Sequence, residues 1–197
     1  METKYKTILV DPPWRMSLTG KRKRAKGTPA KSLPYQTMSI NEIEQLPVNL
    51  LAADDCHLWL WTTNQFLRCG FDIMRSWGFK YLAPVHWIKP SGIGNWFVHH
   101  TQTVLFGYNK RCVFANKRYL PNIIQTSDPK AHSAKPEETY RYIEQISAAP
   151  RLELFARCER EGWDVWGNEV VSKKELVEAL KQNTTAQGVS LKNNDSL

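Results

Sequence analysis

The chain has 197 residues and a formal net charge of +8, with 42% hydrophobic, 11% aromatic and 23% charged residues. That length fits one domain, two at most, and a domain of this size buries roughly 70% of the surface of its unfolded chain, enough to fold without staples. Eleven prolines and ten glycines exclude a collagen-like or low-complexity chain, and the absence of any run of 18 apolar residues excludes a transmembrane helix. The first residues show no apolar leader core, so no secretory signal and no membrane association are expected. Cys56, Cys69, Cys112 and Cys158 have no C-x-x-C spacing and read as reduced thiols of a cytoplasmic protein, without zinc.

In chain order, Lys6 to Val10 is a short apolar run that stops at Asp11-Pro12-Pro13, which neither a strand nor a helix can continue. Ser39-Ile40-Asn41-Glu42 is a capping box opening a short helix to about Leu46. His57 to Thr62 is apolar at successive positions, the pattern of a strand covered on both faces. Asn64 to Trp77 has near-helical apolar spacing. Phe79 to Ile88 and Thr103 to Tyr108 are strand-like, and Ser91 to Asn95 between them reads as flexible. Lys135-Pro136-Glu137-Glu138 puts proline at a helix start with acids in the first turn, and that helix runs to about Ile146. Arg151 to Ala156 and Trp163 to Trp166 are short strands. Alternating strands and helices predict an α/β fold with a parallel sheet. From Ser172 onward one short helix and a frayed polar tail are expected, so the domain spans 1–171 and the tail 172–197.

The positive charge is concentrated. No acid occurs between Asp11 and Glu42, where Arg15, Lys21, Arg22, Lys23, Arg24, Lys26 and Lys31 lie; without these seven the chain holds 20 basic against 19 acidic residues. The segment 15–34 reads as a solvated loop, a targeting signal or a mobile arm that follows a phosphate backbone with strong salt dependence. What stands beside it decides among these.

Asp11-Pro12-Pro13-Trp14 stands at the carboxyl end of the first strand, where open α/β sheets bind ligands. The bland reading is a rigid turn with Trp14 in the core. The chemical reading is an acceptor-lined corner: two prolines remove two backbone donors, so the Asp11 carboxylate and the turn carbonyls face one point with no N–H to compete. Such a corner suits an exocyclic base amine, and Trp14 supplies a flat face for stacking. Hydrogen bonds from both amine hydrogens to Asp11 and the Pro12 carbonyl favour the pyramidal nitrogen needed for attack.

The tetrapeptide resembles the signature of S-adenosylmethionine-dependent adenine N6-methyltransferases. The subgroup it is most similar to includes the catalytic subunit of the eukaryotic mRNA adenosine methyltransferase and bacterial and phage DNA adenine methyltransferases. Further matches follow in order: Leu33-Pro34-Tyr35-Gln36-Thr37-Met38-Ser39, the strand His57 to Thr62, His86-Trp87-Ile88-Lys89, Lys135-Pro136-Glu137-Glu138, Glu153-Leu154-Phe155-Ala156-Arg157, and Trp163 to Asn168. The resemblance implies a Rossmann-like methyltransferase fold. Its sheet is mostly parallel and twisted, with helices on both faces and a permuted motif order: catalytic motif first, cofactor half last. That order accounts for the absence of G-x-G-x-x-G. The resemblance also implies that Lys135, Phe155, Arg157, Asn168 and Glu169 bind the cofactor and that Tyr35 lines the target pocket. Ala134 departs from a histidine common in the mRNA enzyme, and Glu169 replaces a glutamine.

The remaining candidates are Lys89, a phosphate contact or a plainly exposed lysine, and Trp96, a stacking surface for the substrate strand or a core residue. With Lys21, Arg22, Lys23 and Arg24 they make up the expected nucleic-acid contacts. His99-His100 is not expected to hold a metal. Trp59, Trp61 and Trp77 read as core. The expected function is methyl transfer from S-adenosylmethionine to the N6 amine of adenine in DNA, in a protein of prokaryotic or viral type. RNA is the alternative substrate, and a non-catalytic nucleic-acid-binding subunit the alternative class. A domain this short has little room for a target-reading module, so specificity is low or comes from a homodimer or a second subunit.

Overall fold

The structure of the protein is a computed structural model that describes residues 3–15, 36–93, 96–115, 119–126, 135–172 and 178. Strand β1 (Tyr5–Val10) is followed by helices α1 (Ile40–Glu44) and α2 (Val48–Leu51), strand β2 (Ala52–Thr62), helix α3 (Leu67–Ser76), strands β3 (Lys80–Ile93), β4 (His99–Tyr108) and β5 (Ile123–Gln125), helix α4 (Glu137–Ile146), and strands β6 (Arg151–Leu154) and β7 (Trp163–Trp166). The seven strands form one sheet in the order β5-β3-β4-β2-β1-β6-β7. β1 runs parallel to β2 and β6, β6 to β7, and β3 to β5, while β4 is antiparallel to both its neighbours.

Alternation along each strand separates two cores. Ile8, Val10, Leu58, Leu60 and Leu154 face α1, α2 and α3. Leu9, Trp59, Trp61, Val104 and Phe106 face α4. Both faces of β2 are therefore covered, which explains its unbroken apolar run. The sheet is α/β and mostly parallel, with helices on both faces, as the alternation of elements predicts.

Several boundaries differ from the sequence reading. α1 ends at Glu44, with its capping box in place: the Glu42 amide donates to Ser39 Oγ at 3.3 Å and the Ser39 amide to Glu42 Oε2 at 2.6 Å. α3 begins at Leu67, and β2 begins at Ala52 in polar residues with no apolar signal. Ser91, Gly92 and Ile93, expected to be flexible, are the end of β3, where Ile93 pairs with His99 of β4 beyond a register shift after Ile88. The basic residues Lys21, Arg22, Lys23 and Arg24, the pocket candidate Tyr35 and the C-terminal helix lie outside the described residues. No described helix is long and apolar enough to cross a membrane.

Candidate active site

β1 sits at the switch point of the sheet. The chain leaves it for β2 on one side, and β6 and β7 return on the other. Crevices outside the carboxyl ends of strands form at such points. Val10 pairs with Leu60 and with Leu154, and Leu154 with Trp166. Asp11, Phe155 and Gly167, each the residue after its strand, therefore stand along one edge.

The corner after β1 is tightly held. The Trp14 amide donates to the Pro12 carbonyl at 2.8 Å, and the Met38 amide to the Pro13 carbonyl at 2.9 Å. The expectation that no N–H competes for these carbonyls is corrected here, because the turn closes on itself through the first amide after the prolines. One lone pair of Pro12 remains free of this bond. Trp14 also departs from its expected role as a stacking face. It is 5% exposed, stacks on Phe66 at 5.0 Å and 14°, and donates from Nε1 to the Trp61 carbonyl at 3.2 Å. Those partners make Trp14 the brace of the corner.

Lys135 is 124 residues from Asp11 in sequence and meets it in space, with Nζ 2.5 Å from Oδ2. Its side chain is 9% exposed, against 31% for Asp11, and its ammonium lies 5.0 Å from the centre of the Trp61 ring. Lys135 immediately precedes Pro136, the N-cap residue of α4. Lys89, in the outer part of β3, has its pKa lowered by burial and then by the positive charge of Lys135.

Glu153 is a site residue that the sequence reading missed. It is 7% exposed in β6, beside Leu9, and its Oε1 accepts from the Tyr140 hydroxyl at 2.8 Å. Burial raises its pKa to about 7; the negative charge of Asp11 adds to the rise, while the Tyr140 hydrogen bond, Arg160 and Lys135 oppose it. An acid between leucines in a buried strand was the available signal, since such a group needs a partner. Arg160 completes this wall: it stacks 3.6 Å over the Tyr140 ring and holds Glu137 at 2.7 Å.

The ends of β6 and β7 close on each other. The Ala156 amide donates to the Trp166 carbonyl at 3.0 Å, and any side chain at Gly167 would run into the Ala156 backbone. Glycine is required there, and the chain then delivers Asn168 and Glu169, both exposed, to the crevice edge. Phe155 adopts φ +65°, a strained conformation for a non-glycine residue, with its ring 5.3 Å from that of Trp166. Arg157 is exposed on the same loop. Trp96 is 95% exposed, which excludes the core alternative for it. His99 and His100 take separate partners: the Asn64 amide lies 2.8 Å from His99 Nδ1, and His100 Nδ1 lies 3.2 Å from the Lys89 carbonyl.

The mixed sheet of seven strands, with the acidic corner on the interior strand β1, defines a Rossmann-like methyltransferase fold. The family model MT-A70 matches residues 5–169, and the chain belongs to that family of N6-adenine methyltransferases. It is 32% identical over 192 residues to the Type II methyltransferase M.MunI of a Mycoplasma species, covering 87% of this chain and 80% of that protein. It is 26% identical over 179 residues to the human N(6)-adenosine-methyltransferase catalytic subunit METTL3, covering 85% of this chain and 28% of that one. A putative N(6)-adenosine-methyltransferase of Medicago truncatula is 28% identical over 190 residues, covering 90% of this chain and likewise 28% of that protein. The chain thus spans about a quarter of the length of the plant and animal relatives.

Proposed function

We propose that this protein transfers a methyl group from S-adenosylmethionine to the N6 amine of adenine in DNA. The observation that carries this reading is the carboxylate of Asp11 at the switch point, fixed through one oxygen by Lys135. With Oδ2 held, Oδ1 is left to accept one amine hydrogen, and the remaining lone pair of Pro12 accepts the other. Two such acceptors favour the pyramidal nitrogen and are already oriented before reaction.

The donor set suits the cofactor. Lys135 offers a shielded cation to a carboxylate, and Asn168 and Glu169 offer an amide and a carboxylate to ribose and base edges. Phe155 and Arg157 flank that path. S-adenosylmethionine supplies the methyl group on an electrophilic sulfonium. As the nitrogen–carbon bond forms and the sulfur–carbon bond breaks, the amine becomes acidic and its proton leaves to solvent past the partly exposed Asp11.

Trp14 braces the corner, so stacking of the target base falls to Tyr35, and Trp96 is left to contact the substrate strand. The cationic segment Lys21 to Arg24 follows the corner directly, which favours the phosphate-tracking arm over an inert loop. The 32% identity to a Type II methyltransferase, against 26% to the human N(6)-adenosine enzyme, supports DNA. RNA is the second reading, favoured by the adenosine-directed names of the plant and animal relatives. Site recognition then falls to a second copy or a second subunit. The deciding experiment incubates the protein with methyl-labelled S-adenosylmethionine and a panel of DNA and RNA, followed by nucleoside analysis. N6-methyldeoxyadenosine is the expected product; N6-methyladenosine would move the reading to RNA, and no labelled nucleoside would overturn it.

A further inference from the structure

The β3–β4 hairpin is longer than the core of the sheet requires. Val10 is level with Leu60, and Leu60 with Leu105 of β4. From that level β4 runs back to His99, which carries the hairpin roughly 20 Å past the strand ends, on the same edge as Asp11. The hairpin is built to hold its shape. Ile93 pairs with His99, and a Cβ on Gly92 would lie 2.5 Å from the His99 carbonyl oxygen, so the two strands meet where only glycine fits. The Asn64 amide tethers the His99 ring to the turn between β2 and α3.

Beyond this tether stand Trp96, Phe97 and Val98, which are 95%, 76% and 60% exposed. Three consecutive apolar side chains in water mark a surface that meets a partner. The charge around them narrows the choice. Along the hairpin, from Lys80 to Tyr108, the chain has no acidic residue, while it has Lys80, Lys89 and three histidines. Two copies of such a hairpin repel each other, whereas a polyanion with an apolar interior satisfies both the charge and the aromatic tip.

We propose that the substrate is duplex nucleic acid and that the hairpin tip is a wedge that enters the base stack beside the target adenine. Trp96 and Phe97 fill the space that the extruded base leaves. The inference rests on adenine methylation as the activity and names the form of the substrate. A base inside a duplex must leave the stack before its amine can be reached. Apolar side chains pushed between base steps are one way to unstack them. The major groove is about 8.5 Å deep, so a tip reaching roughly 20 Å past the strand ends can lie in the stack while the extruded base reaches Asp11.

The test uses the full chain, labelled S-adenosylmethionine and a random-sequence DNA pool prepared as duplex, as single strand, and as duplex with an unpaired central bubble. The double variant Trp96→Ala/Phe97→Ala is expected to lower the ratio of duplex to single-strand methylation at least tenfold, and the bubble is expected to recover most of the loss. Wild-type protein that methylates single strands only, or a variant with an unchanged ratio, overturns the wedge while leaving the methyltransferase reading intact. No methylation of any pool overturns both. Sedimentation of the two proteins closes the remaining route: a wild-type dimer that becomes a monomer in the variant, with all three substrates affected equally, assigns the tip to self-association instead.

Discussion

The interior of the sheet and its carboxyl edge each bury a titratable side chain, and burial shifts both. In the interior, His57 of β2 is 1% exposed, its Nδ1 lies 2.8 Å from Ser147 Oγ, and Trp59 Nε1 donates to the same hydroxyl at 3.0 Å. Buried beside that hydroxyl, the imidazole stays neutral. Burial lowers the His57 pKa to about 4, against a small opposing effect from Asp55. At the edge, Glu153 shares its surroundings with Asp11, Lys135 and Arg160. A shifted pKa alone does not distinguish the two regions. The difference is that His57 is satisfied by hydroxyl and aromatic neighbours with no charge in contact, while Glu153 stands among opposed charges that open onto a crevice.

The largest expected effect breaks the edge and spares the interior. Asp11→Ala removes the acceptor for the amine and leaves the Lys135 ammonium unpaired. Methyl transfer should fall by about 10²–10³-fold, while cofactor affinity, measured by calorimetric titration, is largely retained. Persistence of methylation would remove Asp11 from its role.

A smaller effect sharpens the contrast through pH. Folding raises the Glu153 pKa from 4.5 to about 7, so the unfolded chain releases this proton first, and the fold loses stability as pH rises through that window. The loss is roughly 3 kcal/mol by linkage, and Glu153→Gln should remove it from the difference between urea unfolding at pH 4.5 and at pH 8. His57 has the opposite sign. Its folded pKa lies below the ordinary 6.5, so its contribution is present above that value and is lost as pH falls toward 4. Proton NMR of the imidazole should show no titration of His57 above pH 5. A normal midpoint would mean that the interior is wetter than the packing shows.

The smallest effect touches neither group. Ser39→Ala removes half of the capping box on α1 and should cost about 1 kcal/mol, read as a thermal shift of about 2–4 °C. Because Ser39 follows Met38, which bridges to Trp14, a change in catalytic rate as well would tie α1 to the corner.

Much of the framework was legible because prolines punctuate it. Pro12 and Pro13 end β1, Pro136 opens α4, and the short strands after it carry apolar runs. Other elements left no such mark. β5 is three residues at the sheet edge, and the last residues of β3 after Ile88 and the first four of β4 carry no run of buried apolar residues, so neither shows hydrophobic periodicity. Asp11 was readable as a site residue from its neighbours in sequence. Its partner Lys135, the stacking of Phe66 on Trp14 and the position of Glu153 beside them depend on strand order, which local pattern does not encode.

The interior place of β1, between β2 and β6, has a consequence for biosynthesis. Thr7 pairs with Arg151, so one flank of the strand that carries Asp11 waits for 144 further residues to be made. At ribosomal rates of about 5–20 residues per second, that wait is roughly 7–30 s, during which Ile8 to Val10 present an open apolar edge. The nascent chain needs that edge shielded until β6 arrives, and shortened products that stop before Arg151 carry an exposed template for association rather than a partial enzyme.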